Sequence, residues 1–210
     1  MIKFESLNQY DNVWITSDSH YSHKNICRGT TAWDISGGDD SVRDFDTLED
    51  MNSAIIEAIQ CVGENDVLLH CGDVAFGEKD NVWEYCYECK GDIILAIGNH
   101  DHNILKYARL PEYQHHFKSI AHRQFVQFKG QKIVLDHFPS LVWHQHHKGA
   151  RLAFGHVHGS NPGVGKSQDV GVDVANKLFG KYKPFTFKEF IELTDKKDKH
   201  KNSHHSENTN

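Results

Sequence analysis

The apolar run Ile93-Ile94-Leu95-Ala96-Ile97 stops abruptly at Gly98-Asn99-His100-Asp101. A short apolar run bounded by glycine reads as a fully buried strand. Its end then sets an amide, an imidazole and a carboxylate at the lip of a sheet, where open α/β sheets bind ligands. Four other stretches follow the same grammar. Val13-Trp14-Ile15-Thr16 runs into Asp18-Ser19-His20, and Val67-Leu68-Leu69-His70 into Gly72-Asp73. Lys132-Ile133-Val134-Leu135 runs into Asp136-His137-Phe138-Pro139, and Arg151-Leu152-Ala153-Phe154 into Gly155-His156-Val157-His158. In the Asp18/His20 and His156/His158 pairs the i, i+2 spacing turns both side chains of an extended segment to one side, so each pair can converge on one cation.

Between these stretches the pattern alternates. Residues 48–60 have the period of an amphipathic helix, opened by Thr47 with Asp50. A second helix is expected over 79–90, with Gly91 as its C-cap. Strand, helix and strand in turn make a βαβ arrangement, hence an α/β fold. Residues 30–46 show no period and read as an irregular loop. Residues 125–128 and 132–135 read as a hairpin. Residues 169–174 look like one more strand, and Phe185, Phe187, Phe190 and Ile191 close the core. No apolar residue follows Leu193, so the expected organisation is one domain over 1–193 and a disordered polar tail over 194–210.

The 210 residues suit one core. No apolar run reaches bilayer length and no secretory leader is visible, which predicts a cytoplasmic protein without a membrane partner. Five cysteines, an odd number, are expected to be reduced thiols. Cys86 and Cys89 form a Cys-x-x-Cys pair within a helix, but no second pair completes a zinc site, so packing is the expected role. A net charge of −6 excludes a general nucleic-acid coat. The seventeen histidines are the outstanding feature of the composition, since imidazole is both metal ligand and proton shuttle.

Taken in order, Asp-x-His, Gly-Asp, Gly-Asn-His-Asp, a lone His and Gly-His-x-His resemble the calcineurin-like metallophosphoesterase superfamily, in particular its small single-domain members from bacteria and their phages. The resemblance spans Asp18 to His158. It implies a four-layer sandwich, two mixed β-sheets flanked by helices, with metals at one edge. It implies that Asp18, His20 and His158 hold a first metal, that Asn99, His137 and His156 hold a second, and that Asp73 bridges both. His100 would be the catalytic histidine and Asp101 its orienting partner. The mixed imidazole and carboxylate set suits two divalent ions, Mn²⁺ first, with Fe, Zn²⁺ or Ni²⁺ as alternatives. The implied chemistry is phosphoester hydrolysis by a hydroxide bridging the two metals.

A phosphodiesterase acting on a small phosphate ester, such as a nucleotide, cyclic nucleotide or RNA end, is expected ahead of a phosphomonoesterase. A catalytically inactive scaffold on the same fold is the remaining alternative, and the retained His100 argues against it. His23, Lys24 and Arg28 follow the first motif and are expected to contact substrate. Tyr21, Phe76, Phe138 and Trp143 lie near the motifs as candidates for stacking on a base. Asp136 stands where relatives have a small residue, as an added carboxylate beside the second metal or a deterrent to a phosphate dianion.

Overall fold

The chain alternates strand and helix over the residues that the computed structural model describes, 2–36, 42–111 and 116–198. In chain order the strands are β1 (Glu5–Ser6), β2 (Val13–Thr16), β3 (Val67–His70), β4 (Asp92–Ala96), β5 (Phe117–Ala121), β6 (Arg123–Phe128), β7 (Gln131–Asp136), β8 (Arg151–Phe154), β9 (Ser167–Asp169) and β10 (Phe185–Thr186). The helices are α1 (Leu48–Ile59), α2 (Lys79–Glu88), α3 (His102–Tyr107), α4 (Val172–Phe179) and α5 (Phe187–Asp195). None is long and apolar enough to cross a membrane.

The strands form two five-stranded sheets, ordered β10-β2-β3-β4-β5 and β1-β6-β7-β8-β9. Both are mixed. In the first, β2, β3, β4 and β5 run parallel while β10 is antiparallel. In the second, only β6 and β7 pair antiparallel, through the expected hairpin. Ile15, Leu69 and Ile94 from one sheet meet Val126, Ile133, Leu135 and Ala153 from the other in a single buried layer. Side chains alternate along a strand, so Leu68, Ile93 and Leu95 emerge on the far side of the first sheet. There they pack against Ile55, Val82, Tyr85 and Ile104 of α1, α2 and α3. The two mixed sheets flanked by helices are as expected.

Three local readings need correction. β9 stops at Asp169, and α4 begins at Val172 where one strand over 169–174 was expected. The Asp169 carboxylate accepts from the Gly171 amide at 2.9 Å and turns the chain there. Helix α2 ends at Glu88, short of residue 90, and both Cys86 and Cys89 are buried free thiols that pack. The expected domain end at residue 193 falls inside α5. Thr194 is fully buried, its hydroxyl accepting from Arg151 Nε at 2.8 Å, while Asp195 pairs with Arg151 and Lys166. Polar contacts hold this segment, which is why apolar content did not reveal it. The rest of the expected tail, 199–210, lies outside the described residues.

Candidate metal centre

The carboxyl ends of β2, β3, β4, β7 and β8 deliver their motifs to one edge of the sandwich. The i, i+2 pairs arrive by a different route from the one their spacing predicts. β2 ends at Thr16 and β8 at Phe154, and the pairs follow in left-handed backbone: φ is 53° at Asp18, 47° at His20, 71° at His156 and 47° at His158. Asp73 joins them at 56°. Each such non-glycine conformation costs on the order of 1–3 kcal/mol and persists where surrounding structure holds it, commonly at functional sites. Glycine is required beside them. A Cβ on Gly98 would lie 2.2 Å from Asp73 Oδ1, and one on Gly155 would lie 2.3 Å from Asp18 Oδ2.

Two groups of potential ligand atoms result: Asp18, His20 and His158, and Asp18, Asp73 and His137. His20 Nε2 stands between the carboxylates, 3.7 Å from Asp18 Oδ1 and 3.7 Å from Asp73 Oδ2. It is buried and has no hydrogen-bond partner. His137 Nε2 lies 3.5 Å from the same Asp73 oxygen. His137 Nδ1 donates to Cys71 O at 2.8 Å, which leaves Nε2 with its lone pair. Yet that nitrogen sits 2.9 Å from Asn99 Oδ1, another acceptor. Two acceptors in contact and an orphaned imidazole are costly for a folded protein. Cations at this edge would satisfy these atoms, so the residues present fit divalent metal. The His156 ring stands 5.1 Å from that of His137, and its backbone N–H donates to both Asp18 oxygens at 3.1 and 3.0 Å.

The ionisation states of Asp18 and His20 suit ligation. Burial raises the Asp18 pKa, but His20 and His158 more than reverse this and hold it at about 2. Burial lowers the His20 imidazole, favouring the neutral form that can ligate.

Behind the ligands lies a layer that the sequence did not announce. Arg43, from the irregular loop, is buried and donates to Asp18 O at 2.6 Å and Ser19 O at 2.7 Å. It also pairs with Asp173 at 2.8 Å, and Asp173 accepts from His158 Nδ1 at 2.7 Å. That last contact points His158 Nε2 at the site, as carboxylates commonly do for metal-ligating histidines. His70, read only as a strand residue, accepts from the Gly72 amide at 3.1 Å. Its other nitrogen meets Ser19 Oγ at 2.9 Å, and that hydroxyl meets Tyr85 OH at 2.9 Å. Among these, only a histidine directly before Cys71-Gly72-Asp73 gave any signal.

The remaining expected residues divide. His100 lies at the site, its N–H donating to Asp73 Oδ1 at 2.9 Å and its half-buried ring 6.0 Å from that of His20. Asp101 does not orient that ring. Its carboxylate accepts instead from the backbone amides of Asp73, Val74 and Gly98 at 2.9, 2.9 and 2.7 Å, tying the β3 and β4 loops together. His23 stands over the site, 3.2 Å from His20 through their Nδ1 atoms and stacked on Phe76 at 3.7 Å. Lys24 is exposed in the next short turn. Arg28 is engaged by Asp44 at 2.9 Å and Asp46 at 2.5 Å, so it is not a spare cation. Asp136 is likewise matched by Arg123 and presents no bare carboxylate to a phosphate. Tyr21 and Trp143 are buried, whereas Phe138 is exposed.

A family model for the calcineurin-like phosphoesterases matches residues 12–184. Among solved structures, a protein of unknown function from Aquifex aeolicus superposes with a TM-score of 0.61 at 22% identity, covering 87% of this chain and 98% of that one. At that identity the likeness speaks for the fold alone. No curated protein matches the sequence.

Proposed function

The chain belongs to the calcineurin-like phosphoesterase family and is thus a hydrolase of phosphoric ester bonds; from that premise we propose that it is a phosphodiesterase dependent on two divalent cations. Asp18, His20 and His158 would hold one cation and Asn99, His137 and His156 the other, with Asp73 serving both. Imidazole, carboxylate and amide donors without thiolate favour Mn²⁺, with Fe, Zn²⁺ or Ni²⁺ next. Bound there, such ions supply an activated water and polarise the phosphoryl oxygens. His100 stands beside Asp73 and donates a proton to the leaving oxygen as the bond from phosphorus to that oxygen breaks and the bond from water forms. His23, stacked on Phe76 beside His20, contacts the substrate.

The observation that favours a diester is the engagement of the nearby guanidinium groups. Arg28 faces Asp44 and Asp46, Arg43 faces Asp173, and Arg123 faces Asp136. A monoester dianion carries a second charge that a free guanidinium would suit, whereas a diester carries one. Turnover of bis(p-nitrophenyl) phosphate and of p-nitrophenyl phosphate by the Mn²⁺-loaded protein tests this. A higher kcat/KM on the diester is expected, and a preference for the monoester would overturn the reading.

A further inference from the structure

Two large, partly exposed rings adjoin the candidate metal centre, one through the residues beside His20 and one beside His137. The midpoint is Asp73 Oδ2, 3.7 Å from His20 Nε2 and 3.5 Å from His137 Nε2. Beyond His20 come His23, centroid 5.2 Å away, and Phe76 at 5.3 Å. Trp33 meets the His23 ring edge-on at 6.1 Å and is 45% exposed. Beyond His137 comes Phe138, 4.9 Å from that ring and 4.6 Å from His156, and it is 46% exposed. Leu141 and Val142 continue the same loop, 70% and 52% exposed.

Packing does not account for these side chains. None of the four joins any hydrophobic cluster among the described residues. Apolar surface gathered next to a polar site marks binding, whereas scattered single residues need no explanation. One ring adjoins the His20 side of Asp73 through His23 and the other adjoins His137 and His156, so each candidate ligand group has an aromatic neighbour of its own. A monoester has one organic arm and leaves one ring unused. A diester has two.

We propose that the substrate is a phosphodiester carrying a flat heteroaromatic group on each side, with one base against Trp33 and His23 and the other against Phe138. This rests on the phosphodiesterase reading. It commits to a short, dinucleotide-like molecule. Long strands gain affinity mainly from rows of lysine and arginine along the backbone. Here the chain carries a net −6, and the guanidinium groups near the site are engaged by carboxylates.

The test compares dithymidine monophosphate, which has two bases, with methyl p-nitrophenyl phosphate, a diester that has none. Trp33→Ala and Phe138→Ala are each expected to raise KM for the dinucleotide about 10-fold, within the range of lost base stacking, with a much smaller change in kcat. Their effect on the base-free diester should be about 10-fold weaker. Trp33→Phe and Phe138→Trp should restore most of the affinity. Binding is followed separately, as quenching of tryptophan fluorescence by the dinucleotide in a His100→Ala background, with the same protein carrying Trp33→Phe isolating the Trp33 signal from the other three tryptophans. Equal losses on both substrates, or a dinucleotide KM no lower than that of the base-free diester, would overturn the proposal. So would pentathymidylate binding far more tightly than the dinucleotide. Failure to cleave either diester would instead strike the phosphodiesterase reading, and dinucleotide titrations of the His100→Ala protein with Trp33→Phe or Phe138→Ala added would still decide the two walls.

Discussion

Strand β3 carries an aspartate beside each end, and the two are treated in opposite ways. Asp66, before the strand, accepts four N–H donors: Asn12 N at 3.1 Å, Asn12 Nδ2 at 2.9 Å, Trp14 Nε1 at 2.9 Å and Gly63 N at 3.0 Å. Asp73, beyond the other end, adopts a left-handed φ of 56°. Its Oδ1 accepts from the His100 amide, but its Oδ2 faces two imidazole nitrogens without a hydrogen bond to either. One carboxylate is saturated by the fold. The other is held in strained backbone with one oxygen turned to two imidazoles. Local rules are obeyed at the first end and broken at the second, as expected where a site rather than stability dictates the arrangement.

The contrast can be broken most sharply at Asp73. Asp73→Asn removes the charge placed between both candidate sites, so turnover should fall by about 10³-fold, matching the several kcal/mol attributed to a metal clamp. Metal analysis should find fewer than two ions per chain. The melting temperature of the metal-free protein should not fall, because asparagine tolerates left-handed backbone. A metal-free variant that melts well below wild type would mean that Asp73 serves the fold after all.

His100→Ala should keep both ions yet slow hydrolysis of a diester with an alkyl leaving group by about 10²-fold, the contribution of a positioned general acid. A nitrophenolate leaves without help, so the loss on a nitrophenyl ester should be far smaller. Parallel losses would assign His100 to phosphate positioning, and loss of metal would make it a ligand.

Asp173→Asn should weaken one metal site about 10- to 100-fold and spare the other, since it frees the His158 ring from its carboxylate partner. Calorimetric titration with Mn²⁺ would resolve the two classes of site. Uniform weakening of both would show that the Arg43–Asp173 pair supports the whole edge.

The smallest effect is expected at the saturated end. Asp66→Asn turns an amide N–H toward other N–H donors and should cost about 1–3 kcal/mol of stability, with turnover per folded molecule unchanged. Burial alone would raise the Asp66 pKa, but its donors from Trp14, Gly63 and Asn12 hold it below the ordinary carboxylate value. With the folded value depressed, its stabilising contribution is complete above about pH 4. It disappears as pH falls from there through the folded value. Melting curves should therefore show wild type losing more of its advantage over this variant at about pH 3 than at about pH 5.

What could be read from the sequence and what could not separates along physical lines. The candidate ligands were legible because each follows an apolar strand within four residues, and a strand's end is where parallel sheets gather chemistry. Helix α1 was legible because its period and its Thr47 cap are local, and the Thr47 hydroxyl does accept from the Asp50 amide at 3.0 Å. Asp101 shows the limit. Its place beside His100 in the chain suggested a ring partner, but its carboxylate accepts from three backbone amides of two loops. The end of the domain shows another, since Thr194 is buried through a hydroxyl that meets Arg151 across the fold.

The sequence by itself therefore determined the sheet edge, the set of side chains brought to it and the family. Those follow from strand periodicity and from motifs a few residues long. Only the tertiary structure decided how each side chain is aimed. Arg43, in a segment without period, reaches Asp173 in α4 and so sets the direction of His158. Such contacts join residues far apart in the chain, and no local propensity encodes which buried donor will meet which acceptor. The fold settles that by leaving few buried polar groups unpaired, and the atoms it does leave unpaired at this edge, His20 Nε2 foremost, mark where a ligand belongs.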